Sequence, residues 1–384
     1  MNNSSAVASS GINNYRVVNL GAKPDGKTDS TKAFLSAWDK ACASVKPAVV
    51  HVPRGTFLLG NAIFRGPCNN KATTFRISEG TLVAPSDYRV LGNAGNWLSF
   101  QDVHGLNISS SNGILDGQGT GLWDCKASPG KSNCPTGAIS LGFVNSSNIV
   151  VSGLLSRNSQ LVHIIIRGCH NVNMHGIRVS ASEKSPNTDG IHIQMSSDIT
   201  ILNSDFSTGD DCVSIGPGTV NLWIEKVTCG PGHGISVGSL GWEMQEPGVQ
   251  NVTVKTATFK NTLNGVRIKS WSRPSTGFAR HILFQHAVMV DVKNPIIIDQ
   301  NYCPNNKDCP RQVSGIEITD VTYQDIQGTS ATEVAVNFDC SSKNPCTGIR
   351  LEDVKLTYQN QPSEASCSHA DGTAAGIVQP TSCL

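Results

Sequence analysis

One short pattern, a polar residue or glycine followed by alternating aliphatics, recurs along the chain, and no other feature limits the fold so strongly. It reads NIVV at Asn148, NVNM at Asn171, DITI at Asp198, NLWI at Asn221, NVTV at Asn251, HILF at His281, GIEI at Gly315 and GIRL at Gly348. Successive starts are 23, 27, 23, 30, 30, 34 and 33 residues apart. A second series lies between them: HIII at His163, GIHI at Gly190, CVSI at Cys212, GISV at Gly234, GVRI at Gly265 and PIII at Pro295. Each unit therefore holds at least two strands. Units this short cannot bury their own aliphatic residues, but stacked turns bury them against the turn above and below. The expected fold is all-β, a solenoid of the parallel β-helix kind. Leucine-rich repeats need a leucine-dominated consensus, and a propeller blade needs about 40 residues in four antiparallel strands. Neither fits.

The N-terminal region carries the one clear helical pattern. TDSTKAFLSAWDKAC places Ala33, Phe34, Ala37, Trp38 and Ala41 on one face, with Thr28, Asp29 or Ser30 as N-cap. An open β-helix end exposes strand edges and core, so this short α-helix is assigned as its cap. No composition shift marks a linker. The chain reads as a flexible tail over 1–14 and a single β-helix domain over 15–384.

With 30 basic and 29 acidic residues the formal charge is +1, so no global field would recruit nucleic acid, and attraction to an anion has to be local. No apolar run approaches the roughly 20 residues of a membrane span. Thirteen cysteines, several at short spacings, point to disulfides formed on a secretory route. The expected pairs are Cys125/Cys134, Cys212/Cys229, Cys303/Cys309, Cys340/Cys346 and Cys367/Cys383. Pairing Cys42 with Cys68 leaves Cys169 as the odd thiol. CxxC pairs and metal-spaced histidines, which zinc would call for, do not occur. Sequons at Asn2, Asn3, Asn107, Asn145 and Asn251 agree with secretion to the extracellular space or cell wall. The opening MNNSSAVASS has no apolar core of a signal peptide, so a mature or engineered form of a secreted protein is expected.

Stacking converts sequence spacing into geometry, because equivalent side chains in consecutive turns lie about 4.8 Å apart. Two residues before the first aliphatic of the second series stand Asp189, Asp211, His233 and Asn264, the first three at intervals of 22. Asp189, Asp211 and His233 should form a column, with Asp210 beside it. In NGVRIKSW, alternation turns Val266 and Ile268 inward, which brings Arg267 and Lys269 out together. Gly190, Gly209, Gly232, Gly234 and Gly265 flank these positions and should leave the backbone open to a ligand. Each element alone has a plainer reading: Asp before a strand is a common turn residue, GHG a turn, and RIK a solvated face. Four successive turns placing charge at one lateral position are poorly explained by turns, and crowded carboxylates cost electrostatic energy.

Two carboxylates acting on opposite sides of a bond are what glycoside hydrolysis requires, separated by roughly 6.5 to 9.5 Å when a water attacks directly. Mutual repulsion should raise the pKa of at least one of the three aspartates. Arg267 and Lys269 oppose that shift, and a carboxylate on the substrate is the partner they suggest.

NTDG (Asn187–Gly190), GDD (Gly209–Asp211), GHG (Gly232–Gly234) and RIK (Arg267–Lys269), in this order, resemble the four signatures of polygalacturonases, glycoside hydrolases that degrade pectin. The resemblance covers nearly the whole chain, from GAKPDGKTDSTKAF through NPIIIDQNYC to the cysteine-bearing C-terminus, and is closest to plant members. It implies a right-handed parallel β-helix and inverting hydrolysis of α-1,4 bonds in polygalacturonate. Asp210 would protonate the glycosidic oxygen. Asp189 and Asp211 would hold and deprotonate the attacking water, and His233 would tune the acid. Arg267 and Lys269 would bind galacturonate carboxylates, with Tyr302 and Asn187 also at the substrate. No cofactor or metal is implied. The expected partner is homogalacturonan, met by a monomer, with a proteinaceous inhibitor as a further kind of partner. Internal cleavage is preferred because most segments between turns are short. The competing readings are a calcium-dependent pectate lyase acting by β-elimination, whose carboxylates would be metal ligands, and a non-catalytic wall-binding protein.

Overall fold

The computed structural model describes residues 11–128, 133–304, 309–310 and 312–384. Strands stack in parallel, turn on turn. One face is an eleven-stranded sheet running from Ala62–Arg65 to Glu364–Ser368. The remaining faces belong to a twenty-stranded sheet. The second repeat series forms the first of these faces in the anticipated register: Ile164 pairs with Ile191, Ile191 with Val213, Val213 with Ile235, Ile235 with Val266 and Val266 with Ile296. All six side chains are buried. Each removes an aliphatic group from water at about 1.5–3 kcal/mol, and the sum along the column holds successive turns together.

The polar leading position of the first series has a backbone cause. Asn148, Asn171, Asp198, Asn221, Asn251, His281 and Asp320 all have φ between 52° and 58°, the left-handed region that Asn and Asp tolerate best among non-glycine residues. Their side chains stack outside: Asn171 Nδ2 donates to Asn148 Oδ1 at 2.6 Å and Asn251 Nδ2 to Asn221 Oδ1 at 3.0 Å. Register also corrects one repeat. Ile282 pairs with Val321, so the seventh unit begins at Asp320 (DVTY), and GIEI at Gly315 lies ahead of it. GIEI misleads because Ile316 and Ile318 are themselves buried.

The helix Thr31–Ala43 follows Ser30 as N-cap and buries Ala33, Phe34, Ala37, Trp38, Ala41 and Cys42. It closes the N-terminal end of the solenoid, with Trp38 5.6 Å from Phe64 and 5.2 Å from Phe100 between ring centroids. A second helix, Thr120–Ala127, has no counterpart in the sequence reading. Its buried residues, Leu122 and Trp123, are adjacent and leave no helical period to detect. The first strand, Asn13–Arg16, pairs with Ala48–Val52, so positions 13 and 14 are sheet where a tail was expected; residues 1–10 of that segment, with the sequons at Asn2 and Asn3, lie outside the described residues. The six expected disulfides form, and Cys169 is buried without a partner cysteine.

Candidate active site

The outer surface of the eleven-stranded sheet carries the column of charge. Asp189 and Asp211 precede the strands Ile191–Gln194 and Val213–Ile215, and burial of Ile191, Val213 and Ile215 fixes the turns that hold the two aspartates. Behind them, the Cys212–Cys229 disulfide ties the GDD turn to the end of Val220–Cys229. Adjacent turns approach closely here. A Cβ on Gly209 would lie 2.0 Å from Ser185 O, and one on Gly234, at φ 87°, 2.2 Å from Asn264 O. These glycines are therefore required by packing between turns, which corrects the expectation that they expose backbone to a ligand.

Asp211 is 1% exposed and is held from three sides. Arg267 Nη2 and Ser236 Oγ donate to its Oδ1 at 2.8 Å, and Lys269 Nζ donates to its Oδ2 at 2.8 Å. Burial alone would push this carboxyl up, but Lys269 and Arg267 bring it down to about 2. Arg267 Nε also donates to Ser236 Oγ at 2.9 Å. The two cations expected to face the substrate are thus nearly buried and paired with Asp211, each with N–H groups left over. Beyond them stands Tyr302, its ring centroid 5.1 Å from Lys269 Nζ and 5.3 Å from the Trp271 ring, which in turn meets Trp242.

Asp189 has the opposite environment. It accepts from Ser214 Oγ at 2.6 Å, while burial, followed by the charges of Asp210 and Asp211, raises its carboxyl to about 8. The predicted repulsion is therefore concentrated on Asp189. Asp210 projects beside the column: His233 Nδ1 lies 3.1 Å from its Oδ1, and Asn187 Nδ2 donates to its Oδ2 at 3.4 Å. Next to His233 a cleft of about 410 Å³ is lined by Lys184, Gly232, Asn261, Leu263 and Lys293.

The eight residues singled out in the sequence come together in one cluster: Asn187 and His233 meet Asp210, Arg267 and Lys269 meet Asp211, Tyr302 lies over Lys269, and Asp189 feels the charges of Asp210 and Asp211. Ser214, Ser236, His192 and Trp271 were not among them. The signal for the serines was present, because both occupy the outward position between buried aliphatics, in register with Arg267. Asp210, Asp211 and His233 offer ligand atoms within 4.8 Å of one another. Both Asp211 oxygens already face cations, so this donor set suits acid–base chemistry better than a hard divalent ion.

A family profile described as Glycosyl hydrolases family 28 matches residues 42–383. A polygalacturonase of Prunus persica is 71% identical over 370 residues, spanning 96% of this chain and 93% of the relative. An exopolygalacturonase of Platanus acerifolia is 39% identical over 372 residues, spanning 95% and 96%. Among solved structures, the endo-xylogalacturonan hydrolase of Aspergillus tubingensis superposes with a TM-score of 0.78 at 24% identity, covering 95% of this chain and all of the other, which speaks for the fold.

Proposed function

The chain belongs to glycosyl hydrolases family 28, and we propose that it is an inverting polygalacturonase that cuts polygalacturonate within the chain, with Asp210 as acid and Asp189 and Asp211 at the water. The observation that carries this reading is the split among three crowded carboxylates: Asp211 is held ionised by two cations, and Asp189 binds a proton far more tightly than an ordinary aspartate. Groups whose environments push their proton affinities apart divide the roles of acid and base.

Asp210 is the carboxyl with a groove-facing position and a histidine on one oxygen. In the role assigned here it delivers its proton to the leaving oxygen. Asp211 orients the water, and Asp189, the stronger base once ionised, takes the water's proton. Turnover needs a proton on Asp210 and a carboxylate at Asp189 at the same time, and such a pair gives a bell-shaped dependence on pH. Arg267 and Lys269 serve twice, keeping Asp211 ionised and offering their remaining N–H groups to a galacturonate carboxylate. Tyr302 supplies an apolar wall beside them.

Internal cleavage is supported by side chains on the turns to both sides of the aspartates, with Arg167 on the turn before Asp189 and Lys269 and Tyr302 on turns after Asp211. The experiment is a product-length time course on polygalacturonate. Mixed oligomers from the first minutes are expected, and galacturonate monomer alone from the outset would overturn the internal mode. Reducing ends formed in excess chelator are expected as well; a calcium-dependent unsaturated product would overturn hydrolysis.

A further inference from the structure

Asp189 does not end the polar chain on its side of the groove. Ser214 Oγ, 2.6 Å from Asp189 Oδ2, is also 2.8 Å from His192 Nδ1, and His192 Nε2 is 3.3 Å from Gln194 Oε1. Protons can be counted along this line. The Gln194 oxygen only accepts, so His192 carries a proton on Nε2, and Nδ1 of the neutral ring is an acceptor. Ser214 has one hydroxyl proton between two acceptors, the Asp189 carboxylate and His192 Nδ1. Two hydrogen bonds need two protons, so one more must reside on Asp189 or on His192.

We propose that His192 is a positioning residue that takes up this proton through Ser214, leaving Asp189 ionised and able to act as the base. Asp189 Oδ2–H gives its proton to Ser214 Oγ while the serine's own proton passes to His192 Nδ1. The serine is unchanged, Asp189 becomes a carboxylate, and His192 becomes an imidazolium that still donates from Nε2 to Gln194. No proton is gained or lost. The inference rests on the assignment of Asp189 as base. It removes a difficulty in that assignment, since a carboxyl held near 8 would otherwise stay protonated in acid.

The surroundings of His192 decide where the proton lies. On the strand before it, Ile164–Arg167, Ile165 is the residue opposite, and the exposed Arg167 stands next to Gln194. On the strand after it, Ser214 is opposite, and Gly216 packs near the imidazole edge. Burial is the largest influence and lowers the proton affinity of His192, the Gln194 hydrogen bond and the charge of Asp211 favour the imidazolium, and Lys269 opposes it. Ionised Asp189 adds a second negative charge two hydrogen bonds away. An imidazolium there keeps the Gln194 hydrogen bond and faces the carboxylate that the transfer creates.

The test compares kcat/KM at pH 5 and pH 8 for His192→Gln, which keeps a polar group but cannot carry the proton, and Ser214→Ala, which breaks the line while keeping the histidine. Both should lose at least tenfold more activity at pH 5 than at pH 8, with the acid limb of the kcat profile moved upward. Ser214→Thr should restore the wild-type profile. Equal loss at both pH values in either variant, or no loss, would overturn the relay and leave an ordinary hydrogen bond. If one variant does not fold, judged by its thermal midpoint, the other decides. Asp189→Asn is run alongside: inactivity at both pH values supports the base assignment, and retained activity refutes that assignment whatever His192 does.

Discussion

Replacing Asp189 by Asn should make the protein more stable, and increasingly so as the pH rises. In the wild type burial and the charges of Asp210 and Asp211 raise proton binding at this position to about 8, against an ordinary 3.8. A group whose folded value is raised contributes no penalty below the unfolded value and loses stability as pH climbs from there through the folded value. At about 1.4 kcal/mol per pH unit the difference amounts to on the order of 5 kcal/mol against ionisation. Part of the side chain is open to solvent, which reduces the expected effect to about 3 kcal/mol. Asparagine is isosteric, still accepts from Ser214, and carries no charge to repel Asp210 and Asp211. With an unfolding entropy of about 2.1 cal/mol/K per residue, this converts to a rise in thermal midpoint of about 4 °C. The assay is differential scanning calorimetry of both proteins from pH 4 to pH 8. The two midpoints should nearly coincide at pH 4 and separate by about 4 °C at pH 8. A gap that does not change with pH, or a variant that becomes relatively weaker toward pH 8, would refute the account of Asp189.

Asp210→Asn should lower kcat by at least 10³-fold, because the protonated leaving oxygen is a transition-state interaction; binding of a galacturonate oligomer, measured by calorimetry, should stay within about threefold. Lys269→Met leaves the buried Asp211 with one cation and should destabilise the fold by about 3 kcal/mol at pH 6. Asp211 is depressed to about 2, so its stabilisation is present above about 3.8 and is lost as pH falls through about 2; urea denaturation should therefore show the deficit of this variant shrinking below pH 4.

The column itself was legible in the sequence because a solenoid makes spacing periodic. The 22-residue steps from Asp189 to Asp211 to His233 place their backbones correctly once Ile191, Val213 and Ile235 are taken as stacked. The outward placement of Arg267 followed from the same alternation, but its direction did not. Long side chains choose partners across turns, and Arg267 and Lys269 reach back to Asp211, a choice set by burial and charge in three dimensions. His233 likewise leaves its column to meet Asp210. The glycines were read for the wrong reason, because which backbone atom of a neighbouring turn would crowd a given Cβ has no expression in a single chain. The helix Thr120–Ala127 is held by Trp123 Nε1 donating to Ser159 O at 3.1 Å, a contact across 36 residues that leaves no local pattern.

The three aspartates ride on two neighbouring turns, so the distance between them is set by the ladder of backbone hydrogen bonds beneath them. That ladder is a fixed gauge. The segment 241–248, with its exposed Trp242 and Met244, connects the strands Ile235–Leu240 and Val249–Lys260 and lies outside the ladder beneath the aspartates. Lengthening or trimming such a segment would change which stretch of polymer can lie down and how far it extends, while the spacing of Asp189 and Asp211 stays the same. In this architecture the chemistry of cutting and the choice of where along a polymer to cut are therefore mechanically independent, and a graft of 241–248 from another family member should alter product length before it alters the pH profile.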